Sequence, residues 1–528
     1  MPEHNLLSRR QLLTRAGAVA AAAVGTTAFA GAGTAARAAD SAAPRPTDVL
    51  IIGSGYAGAV AAYRLARAGI RSTVIERGLR WPITPQGTTF ATPAAPDGRA
   101  AWLSTTSPFT PATLNVYPGV LEAFAGSGIT ALAGAGVGGG SLVNNTVMLQ
   151  PSAALFKRSF GSSLSYAEMN SVWYPRAASL IGISPMPNDV YDSSFYTAAR
   201  SWFEETTNAG YQPFRCDLAI NWDTVRAEIV GTAVASAIVG QSIWGMNSGA
   251  KRSVDNTILA AAEKTGRTTV QTLTRVVDIQ PSNGNYLVSC EVIDTSGNVV
   301  SRPSYLARHV FLAAGSLGTT RLLVRSRAIG SLPHLPAQIG SGWGNNGDIV
   351  GTRIGMPFNN PSDGGPSGIV IEDASNSVQP ITLLNFPAHP ASGGGWAALG
   401  VTFAPPAGTF TYNSATDSVQ LTWPASQPSV LVGAQAMTEV LNKLNSANQG
   451  TSTAAMSSAT TSHCVGGVGL DAIGSDASLH GYPNLRVIDS SLLPGSTGAV
   501  PPALTVTALA DRLVNRALIP IKASLANA

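Results

Sequence analysis

His463 stands in the stretch S-H-C-V-G-G (462–467), one of only six histidines in 528 residues. A neutral imidazole is the side chain best suited to accept a proton near neutral pH, so a histidine beside a glycine pair ahead of a strand-like run, N-L-R-V-I-D (484–489), is a candidate base. The same residue could simply cap a turn, and residue type alone leaves both readings open. Its neighbour Cys464 is read as a buried, inert thiol, not a nucleophile. The other cysteines, Cys216 and Cys290, show no C-x-x-C spacing and join no His/Cys cluster, so no metal site is expected and at most one disulfide.

A second constellation lies near the start. Gly53-Ser54-Gly55-Tyr56-Ala57-Gly58 fits G-x-G-x-x-G between a strand-like run, Val49–Ile52, and a helical stretch, A-V-A-A-Y-R-L-A-R-A-G. In such a turn the first glycine makes the bend, the second admits a pyrophosphate to the backbone, and the third lets helix and strand pack closely. The helix N-terminus supplies amide hydrogens to the phosphates. Glu76 ends the next strand, S-T-V-I-E, where a carboxylate accepts from ribose hydroxyls. The motif indicates a dinucleotide and does not separate NAD from FAD. Gly138-Gly139-Gly140-Ser141-Leu142-Val143-Asn144 exposes backbone to a flat ring, and Asp489 is placed to hold a polyol; together they favour a flavin.

These residues need elements to hold them. Residues 47–78 read as one βαβ unit. D-N-T-I-L-A-A-A-E-K-T-G is helix-like and leads into strands T-V-Q-T-L-T-R-V-V-D-I-Q and N-Y-L-V-S-C-E-V-I-D, with a turn at Ser282-Asn283-Gly284. H-V-F-L-A-A-G-S-L-G-T-T-R-L-L-V-R-S repeats strand, turn, helix, and the chain closes on a helix-like A-L-T-V-T-A-L-A-D-R-L-V-N-R-A-L. Nucleotide-binding signals thus fall near the start, middle and end, with β-rich segments between. The expected fold is α/β, α+β overall: a Rossmann-like domain from residues 46–150, 226–344 and 455–528, with a β-sheet-plus-helices substrate domain from 151–225 and 345–454 inserted into it.

Composition narrows the class. Apolar residues make up 45% and charged residues 12%, which describes a globular chain with a large interior. Of the net charge of +4, residues 1–38 supply +3 through Arg9, Arg10, Arg15 and Arg37 against Glu3. The near-neutral remainder has no basic cluster, which argues against nucleic acid. That N-terminus, with Arg9-Arg10 in S-R-R-Q-L-L, an apolar stretch from Ala16 to Ala30 and the small-residue site Ala36-Arg37-Ala38, is read as a twin-arginine signal, with a Sec signal or lipid-facing anchor as alternatives. Secretion of an already folded protein is expected, and beyond the signal no run is long enough to span a membrane.

The stretches I-I-G-S-G-Y-A-G-A-V, G-V-G-G-G-S-L-V-N, F-L-A-A-G-S-L-G-T-T-R-L-L-V-R, G-S-G-W-G-N-N-G-D, G-T-F-T-Y-N-S-A-T-D and N-L-R-V-I-D-S-S-L-L-P-G-S…T-V-T-A-L-A-D-R occur in one consistent order after residue 46. In this the chain resembles the glucose–methanol–choline (GMC) flavoprotein oxidoreductases, and among them the bacterial cholesterol oxidases with non-covalent FAD. The resemblance implies that Gly53, Gly55, Tyr56, Ala57, Gly58 and Glu76 hold the ADP part. It places Gly136, Gly139, Gly140, Ser141 and Asn144 at the flavin and Asp489 on its ribityl chain, with Ala314, Gly315 and Pro502 completing the cofactor set. His463, in the family's H-x-x-G-G context, becomes the catalytic histidine.

Two positions depart from the pattern. Where the family carries a substrate-binding asparagine this chain offers Val500 or Pro501, and the isomerising glutamate falls at Asn385 by counting back from Trp396. An amide accepts no proton at neutral pH. Glu372 and Asp373 lie upstream, and His389 is nearer. The resemblance therefore implies a secreted FAD-dependent alcohol oxidase. It transfers hydride from a sterol or other bulky apolar secondary alcohol to flavin N5, with O2 as acceptor and without Δ5→Δ4 isomerisation. A monomer with at most peripheral membrane contact is expected. The alternatives are a FAD-binding homologue with redirected or lost oxidase chemistry, and a dye- or quinone-linked dehydrogenase.

Overall fold

The computed structural model describes residues 43–109, 112–354, 364–366, 368–387, 396–454 and 460–527. The export signal read at the N-terminus and His389 lie outside the described residues.

The strand Arg45–Ile52 is the axis of a nine-stranded sheet. It pairs in parallel with Ser304–Leu312 on one side and Ser72–Ile75 on the other. A strand paired on both sides and covered on both faces needs a continuous apolar run, and Val49–Ile52 supplies one, every residue of it buried. Thr268–Gln271 extends the sheet beyond Ser72–Ile75, while Tyr482–Val487 pairs with the C-terminal end of Ser304–Leu312. On that same edge, opposite Arg45–Ile52, the hairpin Thr274–Ser282/Asn285–Ile293 pairs through its second strand with residues 304–307. Its turn, Asn283-Gly284, has φ of +49° and +78°, the geometry that matches strand twist. Helices Tyr56–Arg67 and Ala503–Ala526 pack on each other over this sheet.

A second, antiparallel sheet of six strands runs in the order Thr451–Ala454, Ile349–Ile354, Trp396–Val401, Ile381–Pro387, Ile369–Asp373, Phe214–Arg215. One face is covered by the helix Pro428–Ala447. That helix lies so close that a Cβ on Gly400 would sit 2.8 Å from the Met437 methyl. A third, small sheet joins Thr460–Thr461 to Thr130–Gly134 and Leu121–Ala125, which ties the segment leading to His463 onto the nucleotide-binding part of the chain. Among the described residues no helix is long and apolar enough to cross a membrane.

The cores divide differently from the expected segments. Residues 151–225 split: the helical stretch carrying Phe156, Phe160, Trp173 and Ile181 belongs to the first core, against the C-terminal helix. Only the later part, with Val190, Trp202 and Leu218, joins the second core. The hairpin Thr409–Asn413/Ser418–Thr422 also packs on the first core, through Phe410 and Leu421, against the helix Gly315–Ala328. In each case apolar side chains, not position along the chain, decide the partner. The 20-residue helix Pro428–Ala447 stands inside a segment read from the sequence as β-rich.

Candidate active site

Three helices begin at one cavity of 2410 Å³. They are Tyr56–Arg67, Gly315–Ala328 and Ala503–Ala526; at the first and third no N-cap side chain takes a first-turn N–H, whereas at the second Asp489 and Ser490 accept Gly315 N and Ser316 N. The first-turn N–H groups and positive dipole ends of the first and third therefore favour an anionic or electron-accepting ligand. Gly53, Gly55, Tyr56, Ala57 and Glu76 line the cavity at one helix start; Ala314 and Gly315 line it at the second, and Pro502 at the third.

The two glycine loops meet edge to edge. A Cβ on Gly139 would lie 2.9 Å from the Gly55 Cα, so this approach needs glycine at 139. Gly139, Gly140 and Asn144 face the cavity, and Asn144 donates from its amide to the Tyr56 hydroxyl oxygen at 2.7 Å. Three expected ligand residues stand behind the surface instead. Gly58 packs the helix on the strand, where a Cβ would come 2.0 Å from the Gly53 carbonyl oxygen. Gly136 accepts the Gly139 amide through its carbonyl. Ser141 is buried, donating to Gly138 O at 2.7 Å and accepting from Val254 N at 2.9 Å, so it staples the loop.

Glu76 is buried and pinned: Oε2 accepts from the Ser54 hydroxyl at 2.6 Å and Oε1 from Gly78 N at 2.9 Å. Oε1 keeps a lone pair for a ribose hydroxyl. Asp489 is similarly engaged, accepting Gly315 N and the Thr319 hydroxyl on Oδ2 and Ser491 N on Oδ1. Burial pushes its carboxyl pKa up. It fixes the start of the second helix while bordering the cavity.

Behind the loop lies Lys251, for which no local sequence pattern signals a role. Its buried ammonium donates to Leu142 O, Asn144 O and Ser242 O at 2.8, 2.7 and 2.8 Å. It thus joins the 138–144 loop to the 240–245 segment, which also lines the cavity. Near the nucleotide end, Glu122 bridges Arg77 (2.7 Å) and Arg321 (3.2 Å). Burial opposes the charge of Glu122, but the two arginines hold its pKa at about 2.

His463 borders the same cavity with its side chain mostly buried. Its Nδ1 lies 2.7 Å from Oδ1 of the buried Asp348. Asp348 Oδ2 accepts from the Thr461 hydroxyl at 2.7 Å, and that hydroxyl accepts from His463 N at 3.1 Å. A carboxylate only accepts, so Nδ1 carries the hydrogen and Nε2 is left with a lone pair. Nε2 has no partner among the described residues. Asp348 lies within the quoted stretch G-S-G-W-G-N-N-G-D, but its pairing across 115 residues has no local signal. Cys464 also borders the cavity, and burial raises its thiol pKa well above the ordinary range. The three cysteines are free, and among the described residues no cluster of three or more His, Cys, Asp or Glu is placed to hold a metal.

Two expected positions need correction. Asn385 pairs with Ala398, and Ala398 with Gly351. A Cβ on Gly351 would lie 3.1 Å from Met437 Sδ, so this row faces the helix Pro428–Ala447. Asn385 borders the cavity, but its side chain belongs to the helix-facing row. The next row, Leu384, Leu399 and Val350, faces the cavity and is apolar. Val500 is 1% exposed and packs in the second core, so Pro501 and Pro502 present the surface there. Asn346 holds this turn, donating to Val500 O at 2.9 Å and accepting from Thr497 N at 2.7 Å. Glu372 is exposed, and Asp373 is engaged by Tyr211 and Lys443; neither lines the cavity.

The two uncapped helix starts, the glycine cradle and the pinned Glu76 fit FAD. Residues 48–95 match the family described as FAD dependent oxidoreductase (DAO). A cholesterol oxidase of Acinetobacter baumannii is 25% identical over 90% of this chain and 95% of its own length. A cholesterol oxidase of Mycobacterium tuberculosis (strain ATCC 25618 / H37Rv) is 26% identical over 56% of this chain and 50% of its own. Among solved structures, pyridoxine 4-oxidase from Mesorbium loti superposes with a TM-score of 0.62 at 16% identity, covering 89% of this chain and 98% of that one. A fungal aryl-alcohol oxidase gives 0.59 at 14% identity, covering 90% and 99%. Motif order, cofactor cradle and similarity along 90% of the chain converge: the chain resembles the glucose–methanol–choline flavoprotein oxidoreductases, is similar to cholesterol oxidase, and is an FAD-dependent oxidoreductase.

Proposed function

We propose that the protein is a secreted alcohol oxidase for a sterol or another bulky apolar secondary alcohol, with FAD held non-covalently and O2 as acceptor. The observation that carries this reading is His463, its Nδ1 held by Asp348, opening into the cavity that the cofactor loops line. When bound, FAD takes two electrons from the alcohol as hydride and passes them to O2, giving peroxide. The protein's part is to hold the cofactor, position the hydroxyl and remove its proton. Gly53, Gly55 and Glu76 hold the nucleotide end, and Gly139, Gly140 and Asn144 border the ring. Nε2 of His463 accepts the hydroxyl proton as the carbinol carbon is oxidised.

The apolar side supports the substrate class. Val147, Val239, Val350, Leu384, Ala397 and Leu399 line the cavity. Each methylene withdrawn from water onto such a surface contributes about 0.8 kcal/mol, which favours a large hydrocarbon skeleton over a small alcohol. Leu384, not a carboxylate, faces the cavity from its strand, so a Δ5-3β-hydroxysteroid leaves as the 5-en-3-one without isomerisation. Pro501 contributes no amide beside the reacting oxygen. One missing hydrogen bond to developing charge costs about 2–3 kcal/mol, roughly a hundredfold in rate. Slow turnover is expected.

The test is anaerobic addition of 3β-hydroxysteroids and bulky secondary alcohols to the purified yellow protein. Bleaching of the visible flavin absorption, its return on admitting air, and the unconjugated ketone as early product are expected. An unbleached flavin with every alcohol would support the alternative of redirected chemistry, and reduction without reoxidation by air would identify a dehydrogenase.

A further inference from the structure

We infer that Asp348 is the positioning residue of the alcohol oxidation, fixing His463 in the tautomer that can act as a base. This rests on the proposed reaction. Free neutral imidazole has two tautomers, and only the one with hydrogen on Nδ1 offers a lone pair at Nε2. The Asp348 carboxylate, 2.7 Å from Nδ1, selects that tautomer.

The carboxylate is itself oriented. Its Oδ1 holds the imidazole and its Oδ2 takes the Thr461 hydroxyl, which accepts the His463 amide in turn. This closed ring fixes both the imidazole and the residue holding it. The three residues come from two parts of the chain. Asp348 lies just ahead of the strand Ile349–Ile354 in the second sheet. Thr461 ends the strand that pairs onto Thr130–Gly134 of the nucleotide-binding part. The contact that orients the base therefore spans the junction where an alcohol meets the cofactor.

The consequence for the reaction is specific. With FAD bound to take the carbinol C–H electron pair, the hydroxyl O–H bond would break, C=O would form, and the proton would settle on Nε2. The resulting imidazolium lies against Asp348, whose negative charge compensates it without taking the proton. Passage of those electrons to O2 would take that proton into peroxide and leave Nε2 bare again.

Asparagine at 348 separates this role from a merely structural one. Its shape is nearly that of aspartate, but with its oxygen kept on the Thr461 hydroxyl its amide hydrogens face Nδ1 and force hydrogen onto Nε2. Where an imidazole must act as a base, exchanging its aspartate partner for asparagine costs about 10⁴-fold. For D348N we expect a loss of about 10²–10⁴-fold in anaerobic flavin reduction, with FAD content and thermal midpoint unchanged.

The direct readout is the imidazole itself. In FAD-loaded protein labelled with ¹⁵N-histidine, long-range ¹H–¹⁵N correlation should show His463 protonated on Nδ1 in the wild type and on Nε2 in D348N. D348E should restore the Nδ1 tautomer and part of the rate. Should D348N fold poorly, T461V, which removes only the hydroxyl on Oδ2, should slow reduction about tenfold with FAD bound. A His463 tautomer that is the same in wild type and D348N, or equal reduction rates, overturns the proposal. If no alcohol reduces the wild-type flavin, the proposed reaction fails, while the tautomer measurement still decides whether Asp348 orients His463.

Discussion

Replacing Lys251 with methionine probes the support of the 138–144 loop. Burial pulls the Lys251 amine from its ordinary pKa of 10.5 down to about 7, with Asp255 opposing. The native pKa thus lies below the unfolded one. Between pH 7 and 10.5 the unfolded chain binds more protons than the native protein, so stability rises with pH across that window. Below pH 7 the full cost of the buried charge is present, about 5 kcal/mol for a shift of about 3.5 pH units at 1.36 kcal/mol each. From pH 7 to pH 9 this lysine alone returns about 2 kcal/mol. Lys251→Met removes that slope. It also leaves the carbonyls of Leu142, Asn144 and Ser242 without their donor, at about 1–3 kcal/mol for each that stays unsatisfied. The variant should be the less stable, and its deficit should grow with pH. Thermal midpoints of wild type and variant, both saturated with FAD, measure this at pH 7 and 9. At roughly 1–2 °C per kcal/mol for a chain this long, the gap should widen by about 2–4 °C. A gap that stays constant or narrows would refute the depressed lysine and the reasoning from its burial.

Other perturbations test the cradle and the pocket separately. Gly58→Ala puts a Cβ 2.0 Å from the Gly53 carbonyl oxygen, which costs about 1–3 kcal/mol and should lower the flavin-to-protein ratio; full FAD content at an unchanged thermal midpoint would contradict the packing described. Asn385→Glu puts a carboxylate in place of an amide on the row facing the helix Pro428–Ala447, so it should lower the thermal midpoint and give no conjugated enone from a Δ5-steroid. Leu384→Glu, one residue away and on the cavity-facing row, should produce that enone. Isomerisation by the first variant and not the second would reverse the assignment of faces.

How much was legible in the sequence follows from the range of each interaction. The strand Arg45–Ile52, the turn Gly53–Gly58, its helix and Glu76 lie within 32 residues, so this unit was legible from local spacing alone. The Asn283-Gly284 hairpin was equally local. His463 was singled out by its glycine context, but Asp348 was not, because nothing near either residue encodes their contact. Lys251 was missed because a lone lysine gives no sign of burial beneath three carbonyls. The Asn385 assignment shows a sharper limit. Side chains alternate faces along a strand, so a count accurate to one residue still leaves the face undetermined. Val500 was placed at the site by motif position, whereas its side chain completed the second core and left Pro501 at the surface.

The central claim is that the imidazole of His463 takes the alcohol proton beside a bound flavin. The most direct measurement is the rate of anaerobic flavin reduction by a reactive alcohol in wild type and His463→Asn at equal FAD occupancy. A fall of about 10²–10⁴-fold is predicted, since the substituted amide cannot accept the proton. Reduction at the wild-type rate would contradict it.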